Sequence, residues 1–330
     1  METETILVDR NVNKEETYSQ AVEILQNGQL VAFPTETVYG LGADATNPEA
    51  VGKIFEAKGR PADNPLIVHV DSKESALKYV QSAGQKAVQC MDAFWPGALT
   101  LIMEAKPGIF AENVTASLPT VGIRVPDHPV ALNLLKRVKL PIAAPSANTS
   151  GKPSPTLAEH VYHDMDGTIP LILDGGATAI GIESTVLDMT SEPPVILRPG
   201  RITKEDLEEV IGTVRLPSET QGNVPKSPGM KYIHYAPEAP VYLIENTDGL
   251  IEKAIEYVQN DGKKIAILSS RNYPSADYCF PLSQETLYAS LRKCDQTDAD
   301  LILAAIPASI NRNEAMMNRL EKAADHKWFS

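Results

Sequence analysis

Four cations stand just after, or inside, apolar runs of the chain. Lys58-Gly59-Arg60 closes the stretch Val51–Phe55, Arg124 lies within Thr120–Pro126, and Arg198 ends Val195–Arg198. Lysine supplies a compact charge and arginine a planar fork of donors, a pairing suited to carboxylate and phosphate oxygens. Hydroxyls and amides occupy similar places. Phe33-Pro34-Thr35-Glu36-Thr37-Val38-Tyr39-Gly40-Leu41-Gly42 follows a short apolar run, and Pro145-Ser146-Ala147-Asn148 follows another. The glycines allow main chain to approach a ligand closely. If these groups converge, they form a polar, cationic cleft that binds anions. Singly, each also has a structural use. A strand arginine pairs with a carboxylate, a Ser-Asn turn satisfies itself, and Lys58 answers a helix dipole. His69, within Leu66–Val70, reads as a satisfied, half-buried histidine. Histidine and carboxylate spacings match no metal-ligand template, and no Walker segment is present, so a nucleotide site would be nonstandard.

The elements that must position these groups are short and mixed. Strands are expected at 5–9, 29–34, 66–70, 98–105, 120–126, 142–144, 171–176, 184–188 and 195–198. Helices are expected at 18–28, 47–58, 73–81, 84–94 and 129–138, from periodic apolar residues and stops such as Gly28 and Gly59. Residues 35–42 read as a turn. This mixture predicts an α+β or α/β domain on a twisted, partly mixed sheet. Residues 213–230 are rich in Pro, Ser, Gly, Thr and Asn and read as a linker. It continues into Lys231-Tyr232-Ile233-His234-Tyr235-Ala236-Pro237, more aromatic and basic than a spacer needs. From 239 onward, strands at 241–244, 264–268 and 301–304 alternate with helices at 249–259, 285–294 and 313–324. That rhythm predicts a small doubly wound, Rossmann-like α/β domain without a GxGxxG segment. The expected organisation is a first domain at 1–212, a linker at 213–238 and a second domain at 239–330.

Composition narrows the function. The chain has 330 residues and a formal net charge of -13, which argues against nonspecific nucleic-acid binding through a general basic field. Cys90, Cys279 and Cys294 are widely separated, so neither a disulfide framework nor a zinc knuckle is expected. The acidic start Met1-Glu2-Thr3-Glu4 and the lack of a membrane-length apolar run lead to the expectation of a cytoplasmic protein with no membrane partner.

Pro34–Leu41, Lys58-Gly59-Arg60 and Ser146-Ala147-Asn148 together resemble the YrdC-like family of L-threonylcarbamoyladenylate synthases. The segment Ser227–Pro237 and residues 239–330 resemble its longer, two-domain branch. The resemblance implies a twisted mixed sheet around a large cationic cavity. It also implies conversion of L-threonine, bicarbonate (or carbon dioxide) and ATP to threonylcarbamoyl-AMP and pyrophosphate. Downstream threonylcarbamoyl-transfer proteins would then modify the tRNA adenosine beside the anticodon; tRNA contact by this chain itself stays open. Carried over by motif, Thr37, His69, Arg124, Ser184 and the backbone at Ala144 would hold threonine. Arg60, Asn64, Thr120, Ser146, Asn148, Ser154, Arg198, His234 and Tyr235 would hold ATP, with Lys58 and Arg60 stabilising the reacting phosphate. His234 or Tyr235 would close over the nucleotide from the linker. Mg²⁺ would be held mainly by ATP oxygens, with no protein metal site. The alternatives are an RNA-binding module using the same cavity, a carbamoyl-adenylate domain of hydrogenase maturation (whose cysteine-rich zinc repeats are absent here) and a ligand sensor built on the second domain.

Overall fold

The computed structural model describes residues 2–9, 15–216, 235–247, 249–306 and 313–329. Within them the chain forms two compact units. The first takes the residues up to Ser150, then Pro155–Ala179, then those from Glu183 to Leu216. The second takes Gly151–Ser154, Ile180–Ile182 and the chain from Tyr235 onward. Most of the expected linker, 217–234, lies outside the described residues, and His234 with it.

The first unit opens with β1 (Glu4–Leu7), α1 (Glu15–Gln26), β2 (Val31–Pro34), β3 (Tyr39–Asp44), α2 (Pro48–Lys58) and β4 (Ile67–His69). It continues with α3 (Lys73–Tyr79), α4 (Gln85–Phe94), β5 (Leu99–Glu104), α5 (Glu112–Thr115), β6 (Thr120–Arg124) and α6 (Pro129–Val138). Next come β7 (Ile142–Ala143), α7 (Ala158–Met165), β8 (Leu171–Asp174), β9 (Thr185–Asp188), β10 (Val195–Arg198) and α8 (Lys204–Ile211). The strands build one ten-stranded sheet in the order β1-β8-β2-β3-β7-β4-β6-β5-β9-β10. Pairing is mixed: β4 runs parallel to β6, β5 antiparallel to β6, β9 parallel to β5 and β10 antiparallel to β9. The ends of β4, β6 and β10 and the beginnings of β5 and β9 therefore lie along one edge of the sheet. Apolar clusters on its two faces seal it, one including Leu41, Ile54, Leu101 and Ile123, the other Phe33, Leu134, Ile142 and Leu173.

Local chemistry explains the elements. Asn47 Oδ1 accepts from the Glu49 and Ala50 N–H groups, Pro48 fits the first turn, and Gly59 at φ +59° closes α2. In α6, Pro129 again fits the first turn while His128 Nδ1 accepts from Val130 N–H. Residues 39–42, expected as part of a turn, instead form a strand paired with β2 on one side and β7 on the other. Its glycines are demanded by packing: a Cβ on Gly42 would stand 2.7 Å from Phe33 Cε1. The sequence reading also lacked α5, α7 and α8, although Thr203 and Asp206 cap α8 reciprocally.

The second unit holds β11 (Val241–Glu245), α9 (Leu250–Asn260), β12 (Ile265–Ser269), β13 (Tyr278–Pro281), α10 (Leu287–Cys294), β14 (Leu301–Ile306) and α11 (Glu314–Ala323). Its four strands are all parallel, in the order β11-β14-β12-β13. The short stretches from the first half of the chain are fastened into it. Arg292 Nε and Nη2 donate to Pro153 O at 3.1 and 2.7 Å, Ala236 N–H donates to Gly151 O, and Gln284 Nε2 donates to Ile180 O. Tyr235, at φ +69°, stacks on Tyr288 with ring centroids 5.2 Å apart.

Gly200, just beyond β10, tests how tightly the sheet edge is closed. A Cβ there would stand 2.3 Å from Thr185 N and 2.6 Å from Ser184 C, backbone atoms that cannot rotate away. Gly200→Ala is expected to destabilise the protein by about 1–3 kcal/mol or more. Chemical denaturation with an unchanged midpoint would contradict this.

Candidate active site

The pairing register turns isolated sequence positions into a row. His69 on β4 pairs with Arg124 on β6. Continuing the β5–β6 register by one residue from Leu101↔Ile123 sets Arg124 beside Thr100, which pairs with Val186, which in turn pairs with Arg198. Neighbours in register project from the same face of a sheet. His69, Arg124, Thr100 and Arg198 thus share one face along one sheet edge.

Arg124 is the centre of the first cluster and is 3% exposed. Its Nε donates to Gly97 O at 3.1 Å and its Nη1 to Thr37 Oγ1 at 2.9 Å, while Nη2 lies 2.5 Å from Glu36 Oε1. Thr37 is presented by a tight turn in which Thr35 Oγ1 accepts from the Thr37 and Val38 N–H groups and donates to Val38 O. His69 sits beside this cluster, its ring edge-on to Phe33 at 6.2 Å. Burial, reinforced by the Arg124 charge, lowers its pKa to about 3, so the imidazole is neutral at physiological pH. Its Nδ1 has no hydrogen-bond partner among the described residues. Ala144 reaches the same sheet through its N–H, which donates to Ile67 O at 2.9 Å.

Ser184 and Arg198 form the second cluster. Arg198 Nε and Nη2 donate to Ser184 O at 3.1 and 3.0 Å, and Nη2 also donates to Ser184 Oγ at 3.2 Å. Thr100 Oγ1 and Ser184 Oγ share a hydrogen bond of 2.8 Å. Thr100 was not among the residues anticipated, and only the β5–β9 pairing reveals it.

The third cluster surrounds Lys58. Its side chain leaves the end of α2, is buried, and donates through Nζ to Ser146 O and Asn148 O, each at 2.6 Å. The loop it holds is also bridged to β3 through Gly40↔Ser146. Arg60 follows the helix-ending glycine and is half-buried. Asn64 is wholly buried, yet its amide nitrogen and oxygen find no partner among the described residues. Buried polar atoms rarely lack partners, so the Asn64 amide is available to a polar group from outside the described residues. Thr120 lies at the other end of β6 from Arg124, roughly 13 Å away at strand rise. Ser154 and Tyr235 belong to the second unit.

Sequence reasoning gave Glu36 no role, although it carries the charge that faces Arg124. Asp127 was missed: burial, and then the neighbouring Glu36 carboxylate, raise its pKa above the usual carboxylate range, against the pull of Arg124. Burial also pushes the Cys90 thiol up to about 11, which leaves no thiolate there for nucleophilic chemistry. Among the described residues, no group of three or more His, Cys, Asp or Glu side chains is placed to hold a metal ion. None of the helices among them is long and apolar enough to cross a membrane.

Comparison with known proteins finds two family models along the chain. Residues 23–200 match the Sua5/yciO/yrdC family model, described as telomere recombination, and residues 202–325 match that of the threonylcarbamoyl-AMP synthase C-terminal domain. The chain is 50% identical over 319 residues to threonylcarbamoyl-AMP synthase of Bacillus subtilis, covering 93% of this chain and 92% of that protein. It is 40% identical over 358 residues to the Schizosaccharomyces pombe enzyme of the same name, covering 92% and 87%. The crystal structure of Pyrococcus abyssi Sua5 complexed with L-threonine superposes with a TM-score of 0.93 at 42% identity, over 99% of each chain.

The depressed pKa of His69 has a measurable consequence. Between its ordinary value of 6.5 and about 3, the unfolded chain binds a proton at this histidine that the folded protein does not, so stability rises with pH across that window. His69→Gln is expected to flatten this dependence by up to about 1.4 kcal/mol per pH unit. Denaturation curves collected from pH 3 to 7 check it, and identical slopes in the two proteins would place the effect elsewhere.

Proposed function

The chain belongs to the Sua5/YrdC family of threonylcarbamoyl-AMP synthases, and on that premise we propose how its buried cations carry out the reaction. It is an enzyme that forms L-threonylcarbamoyl-AMP, the first step in threonylcarbamoyl modification of tRNA adenosine. The substrates are L-threonine, bicarbonate or carbon dioxide, and ATP bound as its magnesium complex, with the ion held chiefly by phosphate oxygens. The observation that carries the reading is Arg124: a buried guanidinium, fixed by Gly97 O and Thr37 Oγ1, at an edge shared with His69 and Arg198.

Threonine's carboxylate is assigned to Arg124, with Thr37, His69, Ser184 and the Ala144 backbone around the rest of the molecule. Neutral His69 can donate or accept one hydrogen bond without adding charge. Arg60, Asn64, Thr120, Ser146, Asn148, Ser154, Arg198, His234 and Tyr235 are assigned to ATP. Lys58 fixes the 146–148 loop by two hydrogen bonds to its carbonyls and brings a positive charge beside it.

The chemistry then rests on positioning and charge stabilisation, without a covalent enzyme intermediate. Threonine's neutral amine attacks carbon dioxide, and the nitrogen gives up one proton to water as the carbamate forms. A carbamate oxygen attacks the α-phosphorus of ATP, and the bond to the β-phosphate breaks as pyrophosphate departs. Lys58 and Arg60 are assigned the stabilisation of the negative charge that gathers on the phosphate oxygens in this step.

Pyrophosphate release by the purified protein with ATP, Mg²⁺ and bicarbonate is expected to require L-threonine, with serine and glycine as poor replacements. Release that ignores threonine, or tight RNA binding without release, would overturn the reading. Arg124→Ala is expected to raise the threonine KM by roughly two orders of magnitude, through loss of a buried charge-assisted pair. An unchanged KM would remove Arg124 from the threonine site.

A further inference from the structure

We propose that Glu36 is the seat for the α-ammonium of threonine and the residue that restricts this site to zwitterions. The inference rests on the assignment of the substrate carboxylate to Arg124. Glu36 is only 8% exposed at its side chain, and Oε1 lies 2.5 Å from Arg124 Nη2. Both carboxylate oxygens are buried; Oε1 faces the Arg124 guanidinium, and Oε2 accepts no hydrogen bond among the described residues. An ionised carboxylate removed from water ordinarily takes two or three N–H donors. Glu36 has the Arg124 guanidinium at Oε1 but no donor at Oε2 among the described residues.

A free α-amino acid supplies what is missing. Its ammonium is bonded to the carbon that carries the carboxylate, so a carboxylate seated on Arg124 brings three N–H donors into the neighbourhood of Glu36. Arg124 and Glu36 then form one charge pair that matches the zwitterion in both signs. The surrounding groups sharpen the requirement. His69 is neutral, with its pKa near 3, and contributes no compensating positive charge. Asp127, an exposed carboxylate near enough to feel both Glu36 and Arg124, adds a second negative charge in the neighbourhood. A ligand bearing a carboxylate but no amine would add negative charge beside Glu36 and leave Oε2 without a donor. That arrangement selects against simple hydroxy acids by repulsion as well as by lost contacts.

The experiment compares L-threonine with 3-hydroxybutyrate, which keeps the carboxylate and hydroxyl but has no amine. Binding of each is measured by titration calorimetry to the full-length wild-type chain and to Glu36→Gln, with thermal melts to confirm folding. The wild-type protein is expected to favour threonine by at least tenfold. In Glu36→Gln the preference is expected to shrink by about tenfold or more, as threonine weakens and 3-hydroxybutyrate does not. A preference retained in Glu36→Gln would overturn the proposal. So would wild-type binding of 3-hydroxybutyrate within threefold of threonine, a measurement that holds even if the variant fails to fold. Absence of threonine binding to the wild-type protein would strike the functional assignment itself, a different result from either of these.

Discussion

A buried guanidinium must be surrounded by acceptors held in fixed places, because its desolvation is costly unless hydrogen bonds and an opposite charge replace water. Arg124 imposes that condition on the first unit. Gly97 O comes from the entry to β5, Thr37 Oγ1 from the turn after β2, and Glu36 from the same turn. Two separate parts of the sheet must therefore meet at β6 for one side chain to be tolerated. Thr35 stiffens the turn by bonding its own backbone, so Glu36 and Thr37 meet Arg124 in a defined geometry. The charge is thereby organised before any substrate arrives, which is how a site lowers the cost of binding and of stabilising developing charge.

Lys58 repeats the principle with different partners. It joins the end of α2 to the carbonyls of the 146–148 loop, while Ser150 N–H donates back to Lys58 O at 2.9 Å. A chain segment that carries a hydroxyl and an amide is thus secured at both its side-chain and main-chain levels. Directly after Ser150 the chain enters the stretch Gly151–Ser154, whose Pro153 carbonyl is gripped by Arg292 within the second unit. The chain thus runs directly from a loop assigned to the nucleotide into a segment folded into the C-terminal unit.

Much of the fold was legible because its cues are local. Asn47-Pro48 and Gly59 delimit α2, and the apolar runs of β5, β6 and β14 give buried strands. Strand β3 was read as a turn because Tyr39-Gly40-Leu41-Gly42 carries the composition of one. Its glycines answer to Phe33 and Ala144 across the sheet, contacts that no short window contains. The edge strand β13 was missed for the opposite reason, being only partly buried and weakly patterned. Strand register likewise exceeded the reach of the sequence, and with it the placement of Thr100 beside Ser184.

Residue types alone announced which chemistry was available: lysine and arginine for anions, and hydroxyls and amides at strand ends. The motifs carrying them were distinctive enough to indicate a family before any coordinates were considered. Tertiary structure decided what each charge faces. His69 is held neutral by burial beside Arg124, Lys58 is directed onto two carbonyls, and Glu36 became the counter-charge of Arg124. Those outcomes depend on desolvation and on partners distant in sequence. Both are properties of the space the folded chain encloses, and neither is written in the neighbourhood of a single residue.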